Sequence, residues 1–187
     1  CFIEKAKNSM IHGLSQMKSN LKVNIDKTDL KRGVRLVVKI GTSVITNNKN
    51  AVCERMISVL ACQIATLQKE GFKVIIVSSG AIAAGVHRMG WKQKPKKISH
   101  LQAAAAVGQV SLVEAYEKEF KKNGLTTAQV LITGEDFSSR KRYLNSRATF
   151  ETLLNENILV IANENDTVST DEIKVGDNDT LAASIAT

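Results

Sequence analysis

Val34-Arg35-Leu36-Val37-Val38-Lys39-Ile40 runs directly into Gly41-Thr42-Ser43. Seven residues, rich in β-branched side chains and closed by a glycine, read as a buried strand that meets a turn. The pattern then repeats downstream. Cys53, Met56, Ile57, Leu60, Ile64 and Leu67 recur at helical spacing, and Gly71 stops that helix ahead of a second strand, Lys73-Val74-Ile75-Ile76-Val77-Ser78. A helix is expected over residues 98 to 122, a third strand from Thr127 to Ile132, a helix over 145 to 156 and a fourth strand over 158 to 162. Strands joined by helix-length connections specify an α/β protein: a three-layer αβα sandwich on a mostly parallel sheet, with right-handed crossovers. Ligands in such folds collect at the carboxyl ends of the strands.

Working outward, residues 1–32 are basic and poorly periodic, with Asn20, Asn24 and Asp26 interrupting any helix, so they read as a loosely ordered extension to a domain over 33–187. The loop Gly90-Trp91-Lys92-Gln93-Lys94-Pro95-Lys96-Lys97 holds the single proline and lacks regular pattern. At 187 residues and 43% hydrophobic the chain can bury one sizeable core, and 4% aromatic content favours aliphatic layers. The formal charge of +8 raises anionic partners. Its lysines are not interleaved with aromatic residues, so nucleic acid is not expected. Cys1, Cys53 and Cys62 lack CxxC spacing, and His12, His87 and His100 form no metal-ligand pair, so neither a disulfide framework nor a bound metal is expected. No apolar run reaches the length of a membrane span and no signal-peptide core opens the chain, which predicts a soluble, cytoplasmic protein without a membrane partner. The start at Cys1 and the stop at Ala186-Thr187, inside a helix-like stretch, predict part of a longer chain.

Three junctions carry candidate chemistry. In Lys39-Ile40-Gly41-Thr42-Ser43 a lysine at a strand end precedes a glycine turn, an arrangement that suits phosphate, although lysines also snorkel from strand ends. In Ser78-Ser79-Gly80-Ala81-Ile82-Ala83-Ala84-Gly85 two hydroxyls and a run of small residues open a helix, leaving space for a carboxylate. Simple N-terminal packing of that helix explains the run equally well. Asn163-Glu164-Asn165-Asp166 and Lys174-Val175-Gly176-Asp177-Asn178-Asp179 gather amides and carboxylates whose burial is costly without ligands, metal or lysines, though turn chemistry also explains Asn and Asp near Gly176. No GxxxxGK[ST] or GxGxxG run occurs, so a P-loop or dinucleotide fingerprint is excluded.

Those four segments in that order, together with Ala105-Ala106-Val107-Gly108-Gln109 and Leu144-Asn145-Ser146-Arg147, resemble the glutamate 5-kinase branch of the amino acid kinase family from about Val34 to Thr187. The pattern is compatible with a free-standing kinase or with the kinase part of a bifunctional pyrroline-5-carboxylate synthase. The resemblance implies transfer of the ATP γ-phosphate to the side-chain carboxylate of L-glutamate, the first step of proline biosynthesis, with Mg2+ as cofactor. It further implies proline as feedback inhibitor and a homo-oligomer. Lys39 is then expected on the ATP phosphates, Ser79, Asp166 and Asn178 on glutamate, and Asp179 as organiser of the catalytic lysines, with Lys174 and Asp177 beside them. The junction readings add Gly80 and Ala81 to the acceptor site and Gly41, Thr42 and Ser43 to the phosphate loop. Ser78 stands where the family often has threonine, which keeps the hydroxyl. The nucleotide-binding half with the second catalytic lysine belongs beyond Thr187, so this stretch alone is expected to be inactive. A sibling kinase for another carboxylate or carbamate, or a non-catalytic amino-acid sensor, are the alternative readings.

Overall fold

The computed structural model describes residues 33–47, 49–168 and 177–186, with side chains of the last segment from 178 onward. The extension over 1–32, Lys174 and the side chain of Asp177 lie outside the described residues. Four strands, β1 (Arg35–Ile40), β2 (Lys73–Ser78), β3 (Thr127–Ile132) and β4 (Leu159–Glu164), form one sheet in the order β1-β2-β4-β3. All three pairings are parallel, as the alternation of strands and helices predicts.

Seven helices accompany them among the described residues: α1 (Thr42–Ile45), α2 (Glu54–Lys69), α3 (Ala81–Arg88), α4 (Ile98–Lys121), α5 (Gly134–Ser138), α6 (Arg140–Asn155) and α7 (Asp177–Ala186). Side chains alternate across the sheet with the strand period of two. Val74, Ile76, Leu159 and Ile161 meet Ile57 and Ile64 of α2 and Leu112, Tyr116 and Phe120 of α4 in one core. Ile75, Val77, Val160 and Ala162 meet Phe150 and Leu154 of α6 and Leu181 of α7 in the other. Each such side chain contributes about 1.5–3 kcal/mol when fully buried, and the two cores make this the expected three-layer αβα sandwich. No helix among the described residues is long and apolar enough to cross a membrane.

Two boundaries and one short helix differ from the sequence reading, each for a physical reason. Helix α6 starts at Arg140, five residues before the expected Asn145, because its first turns are polar and only Phe150 and Leu154 are buried. Helix α5 was not expected at all. It is a single short turn started by Thr133, whose backbone N–H and hydroxyl both donate to Asp136 Oδ2, at 2.7 and 2.8 Å. Strand β4 continues to Glu164 because Asn163 and Glu164 still pair with Leu131 and Ile132, so ladder bonding outweighs the turn preference of Asn163.

The alanine-glycine run of α3 packs against α4. A Cβ on Gly85 would sit 1.8 Å from the Ala104 carbonyl oxygen, and one on Gly108 would sit 1.8 Å from that of Ala81. The backbones therefore touch where only glycine fits. Gly108→Ala must push the helices apart and is expected to cost about 3 kcal/mol, a fall in Tm of about 10 °C. Gly134→Ala, where the new methyl meets nothing within 4 Å, should change stability by less than about 0.5 kcal/mol. Thermal unfolding of the two variants checks the contrast, and equal Tm values would rule out this close contact.

Candidate active site

The carboxyl ends of β1, β2 and β4 lie side by side because the strands are parallel and in register, with Lys39 opposite Val77, Ile40 opposite Ser78, and Val77 opposite Ala162. Lys39 projects from the end of β1. Its Nζ lies 2.8 Å from Asp179 Oδ1 in α7 and 3.9 Å from where a Cβ of Gly41 would be. The Lys39 side chain is 30% exposed and that of Asp179 67% exposed, so water screens the pair. A pair this exposed is held by no more than about 1 kcal/mol, and an incoming anion can compete for the ammonium. Gly41 caps the four-residue helix α1, in which Thr42 and Ser43 are exposed.

At the end of β2 the chain turns through Gly80 at φ 103, left-handed backbone, where a Cβ would meet Ile45 Cγ2 at 2.9 Å. Only glycine is accommodated without strain. This turn presents the Ser78 carbonyl and the Ser79 hydroxyl to α7. The Asn178 amide donates through Nδ2 to Ser79 Oγ at 2.8 Å, to Ser78 O at 3.1 Å and, at a longer 3.3 Å, to Asn163 Oδ1. A carbonyl oxygen only accepts, so Ser78 O fixes which end of the amide faces it. Asn178 Oδ1 is left buried without a hydrogen-bond partner among the described residues. Ser79 Oγ uses a lone pair on Asn178, which leaves its own hydrogen to donate elsewhere.

Below this turn Ser78 Oγ lies 2.9 Å from the Tyr116 hydroxyl and 3.2 Å from Ser79 O. Burial drives the Tyr116 phenol well above its ordinary range, partly offset by the Ser78 hydrogen bond, so the ring stays neutral. The buried Ser78 hydroxyl is thus satisfied by a tyrosine from α4.

Asn163, 2% exposed, ties the turn to the neighbouring wall. The Glu164 backbone N–H donates to Asn163 Oδ1 at 2.9 Å, and Asn163 Nδ2 donates to Gln109 Oε1 in α4 at 2.8 Å. Gln109 in turn lines a cavity of about 420 Å³ between α4, the outer strand β3 and the turn after β4. Asp166 stands on that cavity's wall with Glu164 and Gln129, while Ala105, Val110 and Leu131 make it largely apolar.

The structure thus gathers Lys39 with Asp179, and Ser79 with Asn178, at one edge of the sheet, and sets Asp166 on an adjoining cavity that Gln109 also lines. Ala81 is 2% exposed and packed under α4, so only its backbone can reach a ligand. Lys174 and the Asp177 side chain lie outside the described residues. Sequence reasoning gave no role to Gln109, Asn163 or Tyr116. The Ala105–Gln109 segment stood among the quoted motifs, but nothing in its composition says that its last residue reaches β4.

The pattern of the amino acid kinase family matches residues 34–187. A glutamate 5-kinase from Azoarcus sp. (strain BH72) is 54% identical over 157 residues, covering 84% of this chain and 42% of that protein. One from Saccharophagus degradans is 51% identical over 157 residues, with the same coverage of 84% and 42%. The chain spans less than half the length of the curated relatives it matches. The solved structure of Giardia carbamate kinase overlays at a TM-score of 0.49 and 14% identity, covering 71% of this chain and 60% of that one, too distant to bear on the chemistry. With a family match running from the first strand to the last residue, the chain belongs to the amino acid kinase family.

Proposed function

We propose that the full-length protein is a glutamate 5-kinase, which transfers the γ-phosphoryl group of ATP to the side-chain carboxylate of L-glutamate, and that this chain carries its acceptor-binding part. The observation that carries the reading is the turn after β2. There Ser79 offers an O–H donor and Asn178 an acceptor with no partner among the described residues, beside an exchangeable Lys39–Asp179 pair. A molecule bearing both a carboxylate and an ammonium group matches that donor and acceptor, and the 51–54% identical relatives are glutamate 5-kinases.

A carboxylate acceptor needs no general base, because with a reference pKa of about 4.3 it is ionised at pH 7. The work left to the protein is positioning and neutralising charge. Lys39 supplies a partly exposed ammonium at the strand end, where it can turn from Asp179 to phosphate oxygens as negative charge spreads over the transferred group. Asp179 holds that ammonium in place beforehand. Ser79 and Asn178 hold the acceptor, and Asp166 extends its polar wall into the neighbouring cavity. The described residues fit an anionic nucleotide through Lys39, but they form no cluster of three His, Cys, Asp or Glu. Magnesium would enter with the nucleotide and would neutralise phosphate charge beside Lys39. Feedback by proline and assembly into oligomers belong to the same reading of the full-length protein.

In the full-length enzyme Lys39→Ala is expected to lower kcat by about 100-fold while the KM for glutamate moves by less than about threefold. Parallel losses in both constants would remove Lys39 from the transition state. Asn178→Ala is expected to raise the KM for glutamate by at least about tenfold, since a hydrogen bond to a charged ligand group disappears. Calorimetric titration of the full-length protein should show saturable L-glutamate binding, with D-glutamate and L-aspartate weaker. Preference for aspartate or acetylglutamate would transfer the protein to a sibling kinase.

A further inference from the structure

The Ser78 carbonyl fixes the Asn178 amide from one side, and a chain of amides behind Asn178 holds it from the other. The chain of constraint starts from a group that cannot flip, the Glu164 backbone N–H, which donates to Asn163 Oδ1 at 2.9 Å. That bond fixes which end of the Asn163 amide is oxygen. Its Nδ2 is thereby turned toward Gln109 Oε1 at 2.8 Å, and its Oδ1 also receives Asn178 Nδ2 at 3.3 Å. Asn163 is 2% exposed, so water does not stand in readily for Gln109 as the acceptor. Without that acceptor a buried N–H is left unsatisfied, and the amide of Asn163 is held only by the Glu164 N–H, so its Oδ1 meets Asn178 less firmly.

The position of Gln109 is itself set by packing. It follows Gly108, whose backbone touches that of Ala81 in α3, so α4 cannot slide without a clash. This close helix contact delivers the Gln109 side chain to the end of β4, 54 residues away in sequence.

We propose that Gln109 is a positioning residue for the phosphoryl acceptor: through Asn163 it holds the Asn178 amide in the orientation that meets the substrate. The proposal rests on the reading of Asn178 as an acceptor-binding residue given above. Gln109 acts on binding geometry and not on phosphoryl transfer, so its loss separates KM from kcat.

The test is a double-mutant cycle in the full-length enzyme with L-glutamate as the varied substrate. Gln109→Met keeps the length of the side chain and removes the acceptor oxygen. It is expected to raise the KM for glutamate by about fivefold to tenfold, leaving kcat and the KM for ATP within about twofold. In an Asn178→Ala background the same change should alter the KM by less than about twofold, because two residues that act as one unit are not additive. An equal factor in both backgrounds would mean that Gln109 acts independently of Asn178, and overturns the proposal. So does an unchanged KM in the Gln109→Met single variant. Gln109→Leu provides a second removal of the acceptor if methionine disturbs folding, with the Tm of each variant as the check. If Asn178→Ala by itself leaves the KM unchanged, the acceptor reading falls and takes this proposal with it, an outcome visible before Gln109 is altered.

Discussion

Strand β2 is buried at five of its six positions and lies between two helical layers, and this double coverage decides where chemistry can occur. A strand covered on both faces has no outlet for polar side chains along its length. Its apolar run Val74-Ile75-Ile76-Val77 ends at Ser78, the first polar residue and the point where the sheet stops. Because β1 and β4 run parallel to it, their ends open on the same edge. Lys39 and Asn163 are therefore neighbours of the β2 turn by register. A slip of one residue in β4 would turn Asn163 to the other face and bring a core side chain into the site.

The second determinant is the contact between α3 and α4, where Gly85 and Gly108 leave no room for a methyl group. It fixes the height of α4 over the sheet, and with it two side chains of that helix that meet the strand ends. Tyr116 satisfies Ser78 from below, and Gln109 satisfies Asn163 from the side. The site's polar groups are thus held by a core residue and a cavity-lining residue of the same helix. The Lys39–Asp179 pair differs in kind: with the carboxylate 67% exposed it is an open, screened contact suited to exchange rather than to holding the fold.

These features were legible in the sequence to different depths. β1, β2 and β3 could be read because runs such as Val74-Ile75-Ile76-Val77 are too short for helices and too apolar for loops. The start of α6 could not, since Arg140-Lys141-Arg142 carries no apolar period to mark it. Asn163 read as a polar group beyond the end of the fourth strand, yet β3 continues to pair with it, and a ladder partner cannot be seen from local composition. Lys39, Ser79, Asn178 and Asp179 stood out as motif residues, and the structure brings them together in two bonded pairs. Gln109 did not stand out because its role lies in a contact across 54 residues. The small residues of α3 were read either as room for a ligand or as tight helix packing, and Ala81 and Gly85 lie in the close contact with α4.

Among the described residues Asn178 Oδ1 has no hydrogen-bond partner. A buried acceptor without a partner costs about 1–3 kcal/mol, and turning the amide over would seem to relieve it. That rotation would bring Oδ1 within about 3.1 Å of the Ser78 carbonyl, two acceptors face to face, and would also break the bond to Asn163 Oδ1. The flipped state therefore replaces one unsatisfied acceptor with a repulsion and a stranded donor. The observed orientation is the lesser cost, held by a backbone carbonyl on one side and by the amide chain from Glu164 on the other. An N–H donor that reached this acceptor would satisfy it without turning the amide over.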